Sequence, residues 1–131
     1  MLDIDHFKII NDTVGHQAGD DVLRNIARIL RRQIRHTDIM GRMGGDEFCI
    51  FLRNVPSQEF AQKLCNRICH AVSANISYGK NKKPVTMSIG GTLSQPGDTF
   101  TSLYGRADKA LYQSKHQGRN RATMDNNKIN V

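Results

Sequence analysis

Ile39-Met40-Gly41-Arg42-Met43-Gly44-Gly45-Asp46-Glu47-Phe48-Cys49-Ile50-Phe51-Leu52 is the stretch that decides the fold. Two apolar, strand-compatible runs, residues 39–43 and 48–52, flank Gly44-Gly45-Asp46-Glu47. Such runs separated by a Gly-Gly turn predict an antiparallel hairpin. The glycines permit a tight turn and the close approach of a bulky ligand. Asp46 and Glu47, adjacent at the tip, cannot both be buried unpaired, so they are either solvated or gathered around a cation.

Towards the N-terminus, Met1-Leu2-Asp3-Ile4-Asp5 is strand-like and has no turn or cap before it, as expected of a domain cut inside a strand. From Gly19 to about Arg35, Val22, Leu23, Ile26, Ile29, Leu30 and Ile34 recur at helical spacing, with Asp20 and Asp21 in the first turn. Towards the C-terminus, Ser57 is placed to cap a helix just after Pro56, with Phe60, Leu64, Ile68 and Val72 as its apolar face. Residues 77–84, with Lys80, Lys82 and Lys83, read as a solvated loop. Residues 85–89 alternate at period two and predict a half-buried strand, bent at Gly90-Gly91 and continued by residues 92–94. A third helix is predicted from about Thr101 to His116, stopped by Gly118, and the tail after Met124 is polar. The order β-α-β-β-α-β-α is that of a ferredoxin-like α+β domain with a central antiparallel sheet. Nucleic-acid binders and the palm domains of nucleotidyl-transferring enzymes share that architecture, so it does not choose a chemistry.

The chain has 131 residues, enough for one domain around one core. No apolar run is long enough to cross a bilayer, and no signal-peptide pattern opens the chain. Three cysteines, an odd number, argue against a disulfide framework and for a reducing compartment. Cys65 and Cys69 lie four apart with only His70 nearby, which reads as packing and not as a zinc site. A net charge of +7 suits a polyanionic partner, whether nucleotide, nucleic acid or anionic membrane, and equally an ordinary basic surface. An RNA-binding module would stack bases on sheet aromatics. Phe48 and Phe51 stand at odd spacing and cannot share a face, so a nucleic-acid role is disfavoured.

Carboxylates beside phosphate-binding groups imply a metal between them. Asp3 and Asp5 end the first strand, which this topology lays beside the hairpin, so Asp3 and Asp46 can converge on one ion. Magnesium suits an all-oxygen site that keeps waters and takes phosphate oxygens. Lys8 follows closely and could reach a phosphate. Asn11 and Asp20 offer an amide and a carboxylate, which match the N1 and N2 donors and O6 acceptor of guanine. Their other reading is a turn residue and a helix N-terminal acid. Lys115 and Arg119 straddle a helix C-terminus, where cations also complement the helix dipole.

Asp3-Ile4-Asp5-His6-Phe7-Lys8, Asn11-Asp12, Gly15-His16, Gly19-Asp20, the residue 44–48 hairpin and the run from Lys115 to Asn120 together resemble the successive signatures of GGDEF domains, over residues 1 to about 122. The resemblance implies a diguanylate cyclase domain, residues 1–124, lacking the family's upstream helical segment, followed by a polar tail at 125–131. It implies condensation of two GTP into cyclic di-GMP with Mg2+, or Mn2+, held by Asp3, Asp46 and the backbone carbonyl of Ile4. Glu47 would assist beside the metal, and Asp46 matches the position often assigned as proton acceptor. Asn11, Asp20 and Leu23 would bind the base. Lys8, Lys115 and Arg119 would bind the triphosphate, with backbone N–H groups of the turn through His6 and Phe7. Arg35 and Asp38, in an Arg-x-x-Asp pattern six residues before the pentapeptide, would bind cyclic di-GMP as a product-inhibition site. The resemblance further implies catalysis by a homodimer and an upstream sensory domain in a longer protein. It places this segment in the cytoplasm, either as a soluble protein or as the cytoplasmic part of a membrane-anchored one, without membrane contact of its own. The alternative is a catalytically silent GGDEF domain that binds GTP or cyclic di-GMP as a regulator.

Overall fold

The computed structural model describes residues 1–126. Its elements are β1 (Leu2–Ile4), α1 (Phe7–Val14), α2 (His16–Gln33), β2 (Ile39–Gly44), β3 (Glu47–Phe51), α3 (Gln58–Asn75), β4 (Ser77–Tyr78), β5 (Lys83–Pro84), β6 (Met87–Gly91), α4 (Phe100–His116) and β7 (Arg121–Met124). The main sheet has the order β2-β3-β1-β6-β7. Its first three pairings are antiparallel, which gives the ferredoxin-like centre, and β7 joins β6 in parallel. A parallel neighbour needs a crossover, and α4 supplies it.

Side-chain alternation divides the sheet between two cores. Leu2, Ile4, Phe48, Met87 and Ile89 pack with Val22, Ile26 and Leu30 of α2 and Leu64, Ile68 and Val72 of α3. The opposite parity places Met1 and Cys49 against Ala107 and Leu111 of α4. Asp3 pairs with Glu47 on one side and Ser88 on the other, so all three carry that second parity. The chemistry-bearing side chains therefore stand on the α4 side of the sheet.

The expected hairpin, α3 and α4 are present. Ser57 caps α3 by accepting from Phe60 N–H at 3.1 Å, and Thr99 caps α4 in a capping box. Other expectations need correction. Residues 7–14 form a helix of their own, and α2 starts three residues before Gly19, at His16. Phe60 is 42% exposed and Ala61 takes the buried position instead. The lysine-rich loop contains the two-stranded β4-β5 hairpin, while residues 92–94 do not extend β6. Residues 121–124 form β7, because the crossover returns them to the free edge of β6. Of the polar tail, residues 127–131 lie outside the described residues. Among the described residues no helix is long and apolar enough to cross a membrane.

Candidate functional site

The end of β1 and the tip of the β2-β3 hairpin are tied together by the Ile4 N–H, which donates to the Asp46 carbonyl at 3.2 Å. That bond places Asp46 beside Asp3, and one Asp3 oxygen, Oδ1, is buried without a hydrogen-bond partner. The other, Oδ2, accepts from Lys115 Nζ at the end of α4. Burial pushes the Asp3 carboxyl up from its ordinary value; Lys115 works against that rise and Asp46 adds to it. Burial likewise opposes the Lys115 charge, yet Asp3, with Asp46 and Asp5 behind it, holds the ammonium above its ordinary value. Glu47, half-buried, accepts from the Tyr104 hydroxyl at 3.3 Å.

An orphaned buried carboxylate oxygen beside a second carboxylate is a donor set that fits a hard cation. Among the described residues no three Asp, Glu, His or Cys side chains converge on a closed metal cage. Magnesium fits such an open arrangement, since it is commonly held by one or two carboxylates and completed by waters and substrate phosphates.

Immediately after β1 the chain turns through His6 in the left-handed region, φ 55°, and enters α1 with no side-chain cap. The first N–H groups of α1 are thus free of side-chain partners close to the acidic cluster, the arrangement that binds anions. Lys8 is exposed on this first turn. Asn11, one turn further, packs against the backbone of Gly19 so closely that a Cβ there would lie 1.8 Å from its Oδ1. That Oδ1 is buried and unpartnered. Gly19 carries Asp20 next to it, exposed one turn into α2 and not in its first turn as expected, so the α1-α2 packing brings amide and carboxylate to one locality. Leu23 is buried in the α2-α3 core. At the other end of the site, Arg119 lies exposed in the turn that follows α4, at φ 64°.

Arg35 and Asp38 form a separate unit at the α2-β2 connection. Asp38 accepts from the Arg35 N–H at 2.9 Å, from its guanidinium at 3.2 and 3.3 Å, and from the Arg53 N–H at 3.0 Å. Burial opposes its charge, but the Arg53 and Arg35 donors hold the carboxyl below its usual value. Arg35 also donates to the Arg53 carbonyl, so its guanidinium ties the α2-β2 connection to the one between β3 and α3.

The chain matches the family described as diguanylate cyclase, GGDEF domain, over residues 1–121. It belongs to the GGDEF family. It is 44% identical to diguanylate cyclase A of Treponema denticola, covering 98% of this chain and 35% of that protein. It is 40% identical to the response regulator PleD of Caulobacter vibrioides, covering 92% of this chain and 27% of PleD. The chain thus spans about a third or less of these relatives. Among solved structures, the GGDEF domain of DgcB from Caulobacter crescentus, in complex with c-di-GMP, superimposes with a TM-score of 0.84 at 38% identity, covering 95% of this chain and 74% of that one. The active GGEEF domain of a Vibrio cholerae diguanylate cyclase gives 0.87 at 33% identity, over 97% and 81%.

Two residues of this GGDEF domain escaped the sequence reading. Asp5 is buried at 6% exposure and engaged by Ser88, Thr86 and Asn120. Its i, i+2 spacing from Asp3 placed it on the same strand face, which was a usable signal. Tyr104 stands in a helix whose periodicity says nothing of a contact 57 positions away with Glu47.

Proposed function

We propose that this domain is a diguanylate cyclase, condensing two GTP into cyclic di-GMP with release of two pyrophosphates. The observation that carries the reading is the convergence of Asp3 and Asp46, with the buried unpartnered Asp3 Oδ1, between the Lys115 ammonium and the uncapped start of α1. Anion-binding groups on two sides of an acidic pair suit a metal-bound nucleoside triphosphate better than either partner alone.

In this reading Asp3, Asp46 and the Ile4 carbonyl would hold Mg2+ or Mn2+, which when bound neutralises phosphate charge and polarises the α-phosphate. Lys8, Lys115, Arg119 and the N–H groups following His6 and Phe7 bind the phosphates. Asn11 and Asp20 pair with the guanine edge, and Leu23 lines the base pocket. Glu47, held by Tyr104, keeps negative charge beside the metal, and Asp46 accepts the proton of the attacking 3′-hydroxyl. Each domain binds one GTP, and two domains face one another so that each 3′-hydroxyl attacks the partner's α-phosphate. The work is alignment and charge neutralisation. Arg35 and Asp38 bind the cyclic product and slow further turnover. Named relatives, diguanylate cyclase A among them, support the assignment.

The test is mass-spectrometric detection of cyclic di-GMP after incubation of concentrated protein with GTP and Mg2+. Parent protein should form it and Asp46→Ala should not. Equal product from both would remove Asp46 from the chemistry, and tight GTP binding without product from the parent would favour a silent, nucleotide-binding regulator.

A further inference from the structure

Asp5 is buried, and no step of the proposed chemistry uses it. A carboxylate out of water is tolerated when donors surround it. Ser88 Oγ donates to Oδ1 at 2.6 Å, while Thr86 Oγ1 at 2.7 Å and the Asn120 N–H at 3.0 Å both donate to Oδ2. Two of these donors belong to the β6 side and only anchor the carboxylate in the sheet. The third belongs to the turn between α4 and β7.

That turn is unusual in its backbone. Gly118, Arg119 and Asn120 have φ of 117°, 64° and 47°, three successive residues in the left-handed region, two of which are not glycine. Residues with a Cβ resist this region, and such strain persists only where the surroundings over-determine it. The surroundings here are two bonds from the turn's own N–H groups, besides the one that its Arg119 carbonyl accepts from Arg121 Nε at 3.1 Å. The Arg119 N–H donates back to the Ser114 carbonyl at 3.0 Å, and the Asn120 N–H donates to Asp5. The first ties the turn to α4. The second ties it to the end of β1, two residues from Asp3.

We propose that Asp5 is a positioning residue whose buried carboxylate holds the 118–120 turn in its left-handed form, and so aims Arg119 and the adjoining end of α4, with Lys115, at the nucleotide's phosphates. It touches no substrate; it acts through the backbone of Asn120. The inference rests on the reading of Lys115 and Arg119 as triphosphate ligands.

The test compares binding of GMP with that of a GTP analogue carrying a methylene between its α- and β-phosphorus atoms, by calorimetry with Mg2+. Asp5→Ala removes both carboxylate oxygens and with them the bond to the Asn120 N–H. Its expected effect is loss of about tenfold or more of the analogue's advantage over GMP, as for other supports of binding groups, with GMP affinity within about twofold of the parent. Ser88→Ala removes an anchor without touching the turn, and should retain the advantage even if its melting temperature falls as far. Equal losses for both nucleotides, or an unchanged advantage in Asp5→Ala, would overturn the proposal. A parent that shows no preference for the triphosphate overturns the phosphate assignment itself, a failure visible before any substitution. Should Asp5→Ala fail to fold, amide exchange of the parent decides. An Asn120 N–H as slow as those of the β6-β7 ladder supports the clamp, and one that exchanges like free loop overturns it.

Discussion

Gly90→Ala tests how the two cores are joined. Gly90 lies on β6 where α4 crosses it, and a Cβ there would lie 2.0 Å from Leu111 N, 2.3 Å from Ala107 O and 2.6 Å from Leu111 Cα. These are backbone atoms of the helix, so no rotamer change relieves the clash. Ordinary contact begins near 3.4 Å, and a shortfall to 2.0 Å requires α4 to retreat by about 1.4 Å. Overpacking usually costs about 1–3 kcal/mol, and a rigid helix backbone puts this case at about 3 kcal/mol or above. For a domain of this size that is a fall of about 10 °C in melting temperature. Thermal unfolding followed by far-ultraviolet circular dichroism reads it directly. Gly105→Ala is the control on the same helix: it meets nothing within 4 Å, and replacing a helical glycine should stabilise by up to about 1 kcal/mol. Gly90→Ala melting within about 2 °C of the parent would refute the close approach of α4 to β6. Because α4 also carries Lys115, the same retreat should weaken GTP binding, which Gly105→Ala should leave alone.

Two further predictions concern charge. The Arg106 guanidinium, at 2.6 Å from each Asp98 oxygen, with the Gln95 N–H and the Ser102 hydroxyl, holds the Asp98 carboxyl well below the usual range. A lowered folded pKa contributes stability that is complete above the unfolded value of about 4 and is lost as pH falls through the folded one. The difference in melting temperature between parent and Asp98→Asn should therefore be widest above about pH 5 and shrink from pH 4 towards 2; a constant difference would refute it. Arg35→Ala should leave the initial rate within about twofold and remove the slowing caused by added cyclic di-GMP, and unchanged inhibition would count against a product site at Arg35 and Asp38.

The hairpin, α3 and most of α2 and α4 were legible because period and caps are local properties: Ser57 and the glycine pair announce their roles to their neighbours in sequence. What escaped was set by distant partners. β7 is four residues with little strand character, and it is a strand because β6 offers an open edge after the α4 crossover. Phe60 fits the helical stripe, yet the rotation of α3 on the sheet buries Ala61 in its place. The site followed the same division. Asp3 and Asp46 could be paired from topology alone, whereas the partners of Asp5 and Glu47 lie at least 57 positions away.

The ion pair of Lys115 with Asp3 joins the end of α4 to the acidic end of β1. Asp3 and Asp46 crowd one another, and Asp3 is already pushed towards protonation by burial. The lysine offsets that repulsion from the end of α4, on the face where Tyr104 and Leu111 also meet the sheet. In the proposed cyclase reading, a cation between the two carboxylates would compete with Lys115 for Asp3 and would leave the ammonium to the phosphates. In that reading Lys115 would serve two partners in turn, the Asp3 carboxylate and the nucleotide's phosphates.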